Sequence, residues 1–286
     1  MAYLTVTALL IVLWGRALPG WPAVVVAHAG VCSVMMALLR RGPHQGVVQV
    51  LLDWHPLVLF PILYKEVEWL AAVIGDWRLT NSIPAIEAAL FHGQPSIFLS
   101  EHLSVVPLSE YLHFCYLAYV IILPAVAAYW YTCGRRSAFH ELLLLLTAAM
   151  LGSYLFFILF PVDSPYYRFE RLGPPLAGHF FFDLVHQVSA RGGARGGAFP
   201  SAHVSGAVIV WLVAWRHQPR LAALLSPFVL GLIVATVYGR FHYVLDTLAG
   251  LGLALTVVAI HGRLSRRSGA SWPPRRRQPG RASITV

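Results

Sequence analysis

The chain has 286 residues, of which 58% are hydrophobic and only 12% charged, and its mean hydropathy is +0.66. An average soluble domain carries about 25% charged residues, and a water-soluble fold of this length has no interior large enough for so much apolar surface, so a soluble globular protein is excluded. The formal net charge of +9 invites a nucleic-acid reading, but the arginines stand just beyond apolar segments, where they act as a membrane topology signal, and no nucleic-acid partner is expected.

Eight apolar stretches follow one another, at about 2–16, 20–39, 47–64, 111–132, 139–160, 203–216, 221–238 and 242–261. Most approach the ~20 residues that cross a bilayer as a helix, and the sixth is short. Hydrocarbon offers the backbone no hydrogen-bond partner, so helices are the spanning structure to expect. The expected fold is an all-α polytopic membrane helix bundle of about six to eight transmembrane helices. The first stretch, Ala2 to Trp14, is as apolar as a signal peptide. It lacks a preceding basic residue and a small-residue cleavage site, and is expected to be a span. Cys32, Cys115 and Cys133 lie in or at the ends of apolar segments without paired spacing and read as packing residues.

The expected organisation is a set of amino-terminal membrane spans over 1–64, an outer-face segment over 65–110, a catalytic membrane core over 111–262 and a basic tail over 263–286. The outer-face segment mixes Trp69, Trp77, Phe91 and Phe98 with Pro84, Pro95 and Glu110, which suits a stretch lying at the membrane interface. The tail, with Pro273, Pro274 and Arg275 to Arg277, is expected to be disordered and to touch anionic lipid heads. With the amino terminus in the cytoplasm, alternation puts Arg40 and Arg41, Arg135 and Arg136, Arg216 and Arg220, and the tail all on the inner side. The same alternation exports Arg168, Arg171, Arg191 and Arg195 to the outer face. Charges placed against the topological bias ask for an anionic partner. No internal repeat or second folded domain is evident.

Three segments meet on that outer face: Pro161-Val-Asp-Ser-Pro-Tyr-Tyr-Arg168, Gly196-Gly-Ala-Phe-Pro-Ser-Ala-His203 and Tyr238-Gly-Arg-Phe-His-Tyr-Val-Leu-Asp246. In the second, Pro and Ser after a glycine-rich loop mark a helix start, where free N–H groups and the positive end of the helix dipole make a phosphate cradle. His203 then falls in the first turn. In the third, His242 and Asp246 are four apart and share one helix face. A carboxylate on one ring nitrogen fixes the tautomer and leaves the other nitrogen free as base or nucleophile. A lone histidine in a membrane chain with 13 of them is more often packing than catalyst, but ionisable residues at membrane depth are costly and usually functional.

Pro200-Ser-Ala-His203 and His242-Tyr-Val-Leu-Asp246, separated by a helix hairpin, resemble the second and third signature motifs of the type 2 phosphatidic acid phosphatase superfamily. Leu90-Phe-His-Gly-Gln-Pro-Ser96, Tyr111-Leu-His-Phe-Cys-Tyr-Leu-Ala-Tyr119 and the tract from Thr236 to Gly250 resemble the branch containing inositol phosphorylceramide synthase. The likeness covers roughly residues 85 to 255. It implies that His242 attacks phosphorus to form a phosphohistidine, with Asp246 orienting its ring. His203 would protonate the leaving alkoxide, and Ser201 with nearby amides would hold the phosphate oxygens. No metal or other cofactor is implied, because fixed donors stabilise the developing charge.

The superfamily's first motif, Lys-x6-Arg-Pro, is absent, since the single lysine is Lys65 without Arg-Pro at that spacing, and Thr236 stands where the third motif has an arginine. Phosphate binding therefore falls to Arg168 and Arg240, with Arg195 in reserve. Tyr166, Tyr111, His113 and Tyr119 are candidate substrate-cavity residues. The expected function is a lipid phosphate phosphatase or phosphotransferase acting on a phospholipid or polyprenyl phosphate at the extracytoplasmic leaflet, with the bilayer and the lipid as its partners. Composition is compatible with a bacterial inner membrane. The rival reading is a transporter or channel that uses the same His and Asp residues as a proton relay; the missing inverted repeat and the clustering at one face weigh against it. The lipid, the acceptor and the oligomeric state are left open by the sequence.

Overall fold

The computed structural model describes residues 1–41, 45–173, 175–177 and 179–267. All eight apolar stretches form helices: α1 (Ala2–Trp14), α2 (Trp21–Arg40), α3 (Gly46–Ile74), α6 (Val106–Thr132), α7 (Arg136–Leu159), α10 (Ala202–His217), α11 (Pro219–Tyr238) and α12 (Val244–Arg267). Four shorter helices complete the described chain: α4 (Leu79–Phe91), α5 (Pro95–His102), α8 (Pro165–Arg168) and α9 (Phe180–Gly192). Among the described residues there is no strand, and a parallel bridge between Val162 and Gly197 is isolated. The fold is an all-α polytopic membrane bundle. The tail beyond Arg267 lies outside the described residues.

Five helices, α2, α6, α7, α11 and α12, are long and apolar enough to cross a membrane, and α1 is a shorter apolar helix. The other two expected spans differ for identifiable reasons. Helix α10 has only 16 residues, and nine of them are buried, because it runs through the middle of the bundle against α6, α7, α11 and α12. Helix α3 continues past Tyr64 to Ile74 and carries Pro56, Pro61, Lys65, Glu66 and Glu68, which lower its apolarity. The outer-face segment is likewise divided: its first ten residues extend α3, and its last five begin α6.

The core is built on α7, whose Phe139, Leu142, Leu146 and Phe157 are fully buried, together with Trp130 of α6 and Ile209 of α10. Lipid tails are as apolar as these side chains, so close packing and polar contacts between helices hold such a bundle together. Three glycines act at those contacts. A Cβ at Gly206 would come within 2.6 Å of the Tyr119 hydroxyl, one at Gly231 within 2.5 Å of Cys115 Sγ, and one at Gly250 within 2.4 Å of the Ser201 carbonyl.

One group of ion pairs joins α3, α7 and α10 at one end of the bundle. Asp53 pairs with Arg136 and His140, Glu141 bonds Arg216 and His217, and Arg135 donates to the His217 carbonyl. The arginine-flanked loops α6–α7 and α10–α11 therefore lie together, and the loops bearing the three motif segments emerge at the opposite end. Within the amino-terminal helices, His28 of α2 joins Thr7 of α1 at 3.3 Å and Glu66 of α3 at 3.1 Å, all three buried. This polar latch fastens α1 and α2 to α3.

Candidate active site

The chain leaving α7 is pinned to the glycine-rich loop by two backbone bonds, Val162 N–H to the Gly196 carbonyl at 3.0 Å and Ala198 N–H to the Val162 carbonyl at 3.1 Å. Gly196 takes φ +80, and a Cβ there would meet Pro161 at 2.6 Å, so the turn demands glycine on both counts. The loop ends at Ser201, whose Oγ accepts from the Val204 amide at 3.3 Å as the N-cap of α10. Ser201 N–H in turn donates to the Asp246 carbonyl at 3.0 Å. Because Gly250 lacks a side chain, α12 packs directly on this point. The local sequence thus delivers His203, in the first turn of α10, beside His242, which immediately precedes α12.

The two imidazoles face each other, with His242 Nε2 3.5 Å from His203 Nδ1. His242 Nδ1 lies 3.0 Å from the Ala198 carbonyl oxygen and 3.5 Å from Asp246 Oδ2. Both oxygens accept, so Nδ1 carries the proton and Nε2 keeps its lone pair. Sequence spacing names Asp246 as the acceptor; in the folded chain the shorter contact is to a backbone carbonyl. Asp246 itself is fully buried and accepts the Tyr243 amide at 2.8 Å, closing the first turn of α12. His203 is braced by Tyr116, stacked at 4.8 Å, and by Tyr119 at 5.0 Å.

Both histidines open onto a cavity of about 190 Å³. Its walls are Tyr64, Tyr116, Tyr166, Tyr167 and Phe241 on the aromatic side and Gly192, Gly193 and Gly197 on the loop side, with no lysine or arginine among the described lining residues. Burial pushes the Tyr167 hydroxyl up to about 12, so it stays neutral and can donate. Among the described residues no group of three or more His, Cys, Asp or Glu side chains is arranged to hold a metal ion.

The remaining sequence candidates are distributed differently. Ser201 does not line the cavity, since its hydroxyl caps α10. Arg168 donates to the Thr80 carbonyl at 3.1 Å and to Asn81 Oδ1 at 2.9 Å, bolting α8 to α4. Arg240 is buried, with φ +59, and donates to Ser100 Oγ, the Glu170 carbonyl and Glu101 Oε1. It borders a separate polar cleft of about 160 Å³. Arg195 pairs with Asp163 at 2.5 Å, which raises its guanidinium, and sits 5.6 Å over the Tyr167 ring. It is therefore the nominated arginine in contact with a cavity wall. Lys65 donates to the Arg191 carbonyl at 3.3 Å, just behind the Gly192 wall. Tyr166 lines the cavity and Tyr119 backs His203, but Tyr111 bonds the Pro227 carbonyl on α11 instead. His113 stacks on Phe182 and His186 behind Phe241 and does not line the cavity. Helical spacing from Tyr119 could have found Tyr116, and adjacency to Tyr166 could have found Tyr167; nothing local marks Tyr64.

No curated protein and no solved structure matches the chain. Residues 82–260 match the PAP2 superfamily, a span that takes in most of α4, all of α5 to α11 and most of α12. With its histidine pair, its loop glycines and more than half its length inside that match, the chain belongs to the PAP2 superfamily, that of the type 2 phosphatidic acid phosphatases.

Proposed function

We propose that this protein is a lipid phosphotransferase that works through a phosphohistidine on His242. The observation that carries the reading is the His242 ring, with a proton fixed on Nδ1 and a free Nε2 turned to His203 across 3.5 Å at the edge of a cavity. Nε2 attacks phosphorus in line as the bond to the leaving oxygen breaks. A protonated His203 gives its Nδ1 proton to that oxygen. In the second half, neutral His203 takes the proton of an incoming hydroxyl whose oxygen attacks phosphorus, the N–P bond breaks, and both histidines return to their starting states. The Ala198 carbonyl and Asp246 stabilise the positive charge that develops on the His242 ring. Loop amides between Gly192 and Gly197 and the tyrosine hydroxyls are the donors for phosphate oxygens. The scheme uses no metal.

The cavity wall bears on the substrate class. A phosphate monoester carries nearly two negative charges at neutral pH, whereas a phosphodiester carries one. Walls of tyrosine and glycine without a lysine or arginine among the described lining residues favour the diester, and the tyrosine rings with their hydroxyls suit a polyol or sugar headgroup. Both features support transfer of a phospho-headgroup to an alcohol, as in the inositol phosphorylceramide synthase branch, over release of free phosphate. The clustering of Arg135, Arg136 and Arg216 at the opposite end supports an active site on the extracytoplasmic face with the carboxyl terminus inside, and the composition suits a bacterial inner membrane.

The test is to incubate purified protein with labelled phospholipids and polyprenyl phosphates, with and without candidate alcohols, and to resolve products by mass. A new phosphodiester that appears only with one alcohol supports the transferase and names its acceptor. Free phosphate regardless of alcohol makes the protein a phosphatase. No product from any lipid, or product formation unchanged in His203→Ala and His242→Ala, removes the enzymatic reading.

A further inference from the structure

Glu87 takes no part in the scheme above, yet it is fully buried. It projects from α4, and its Oε1 accepts the Leu245 amide at 3.2 Å, with the Val244 amide contributing a second bond. The first turn of α12 is therefore capped twice, once by its own Asp246 on the Tyr243 amide and once by a carboxylate from another helix. The other oxygens of both carboxylates, Glu87 Oε2 and Asp246 Oδ1, are buried without a partner among the described residues, as is the Tyr243 hydroxyl. Two buried carboxylates acting on one helix start repel unless one holds a proton.

Helix α4 is built to hold Glu87 there. Its amino-terminal end is fixed by Asp163 N–H on Thr80 Oγ1 at 2.7 Å and by Arg168 on Thr80 and Asn81. Its middle is tied to the start of α5 by Gln94 Nε2 on the Pro84 carbonyl at 2.8 Å. Ile83 packs with Val162, Tyr243 and Ala198, the last being the residue whose carbonyl accepts from His242.

We infer that Glu87 is a positioning residue for the nucleophile: it ties the start of α12 to α4 and, paired with Asp246 on that helix start, sets the orientation of the His242 ring. This rests on the reading of His242 as nucleophile. Burial pushes the Glu87 carboxyl up to about 7, with the Leu245 and Val244 amides pulling it down and Asp246 adding to the rise. The charged or titratable groups around the pair are His242, 3.5 Å from Asp246 with His203 beyond it, Tyr243 and, acting on Tyr243 from the neighbouring segments, Arg168 and Asp163. Loss of the Glu87 proton places a second negative charge beside Asp246, the carboxylate next to the His242 ring.

The experiment follows the His242 ring by 15N NMR of the full chain in detergent between pH 5 and 9, in wild type, Glu87→Gln and Glu87→Leu, with the signal assigned by its loss in His242→Ala. Glu87→Gln keeps an acceptor for the α12 amides and cannot ionise. The expected result, beyond the protonation of the ring itself, is an added inflection near pH 7 in wild type that Glu87→Gln lacks, with kcat of Glu87→Leu reduced by up to about 100-fold at unchanged KM. The same pH profile in both proteins overturns the assignment, as does a folded Glu87→Leu with wild-type kcat. The NMR readout needs no turnover, so a wild type that shows the inflection but acts on no lipid strikes at the proposed function and not at Glu87.

Discussion

His242 holds its Nδ1 3.0 Å from the carbonyl of Ala198, a residue in a different segment, while its Nε2 stands 3.5 Å from Nδ1 of His203. The proposed nucleophile is thus oriented by the loop before α10 and faces the proposed acid on α10 itself. If His242 bears the phosphoryl group, labelled substrate quenched in acid-free conditions should label wild type and His203→Ala but never His242→Ala. His203→Ala is expected to lower kcat by about 10²–10⁴-fold, the usual worth of a positioned acid and base. Label retained by His242→Ala would move the nucleophile elsewhere.

Gly250 is the contact through which α12 reaches the loop. A methyl group there would fall 2.4 Å from the Ser201 carbonyl, which is backbone and has no rotamer to yield. Gly250→Ala should separate α12 from the start of α10 and lower kcat, since small displacements of reacting groups cost up to about 10²-fold. Gly252, where an added methyl group would meet nothing within 4 Å, serves as the control, and Gly252→Ala should leave kcat unchanged. Equal kinetics for the two variants would show that the contact does not matter.

Arg240 divides its donors among Ser100, Glu170 and Glu101 and has none turned to the histidine cavity. Arg240→Ala leaves buried acceptors without a donor and should cost about 1–3 kcal/mol of stability, read as a lower unfolding temperature, while KM stays within two-fold. A many-fold rise in KM at unchanged stability would instead make the guanidinium a substrate ligand.

Glu87 also predicts a pH dependence of stability. Its carboxyl is raised from 4.5 to about 7 in the folded chain, so the folded state holds a proton that the unfolded state has released. Its contribution is fully present below about 4.5 and is lost as pH rises through about 7. Glu87→Gln should therefore unfold at a higher temperature than wild type at pH 8 and show a smaller difference, or none, at pH 4.5. A difference independent of pH would contradict the assigned proton.

His28 is a polar residue between helices, bonded to Thr7 and Glu66. His28→Leu should loosen α1 and α2 from α3 by about 1–2 kcal/mol, typical of polar contacts inside membranes, detectable as faster proteolysis of the amino-terminal helices. Because the latch lies outside the histidine cavity, phosphate transfer by the intact protein should be little changed.

The helices and the grouping of His203, His242 and Asp246 were legible in the sequence because each depends on local chemistry. Apolar runs of bilayer length must be helical wherever they lie, and His242 with Asp246, or His203 after Pro200-Ser201, declare themselves by spacing along one helix. The wrong-footed residues are the long polar ones. An arginine's position in the chain says which loop bears it, and its reach of several ångströms leaves the partner undecided. Only packing sent Arg168 to Thr80 and Arg240 to Ser100, and left Arg195 against the cavity wall. The same holds for Tyr64, for Glu87 and for the Ala198 carbonyl: each acts across more than 40 residues of intervening chain, on a neighbour that no periodicity announces. Sequence determined the superfamily because the residues that mark it sit in short motifs. Tertiary structure decided what surrounds and orients those groups, because in a bundle every helix face takes its partners from elsewhere in the chain.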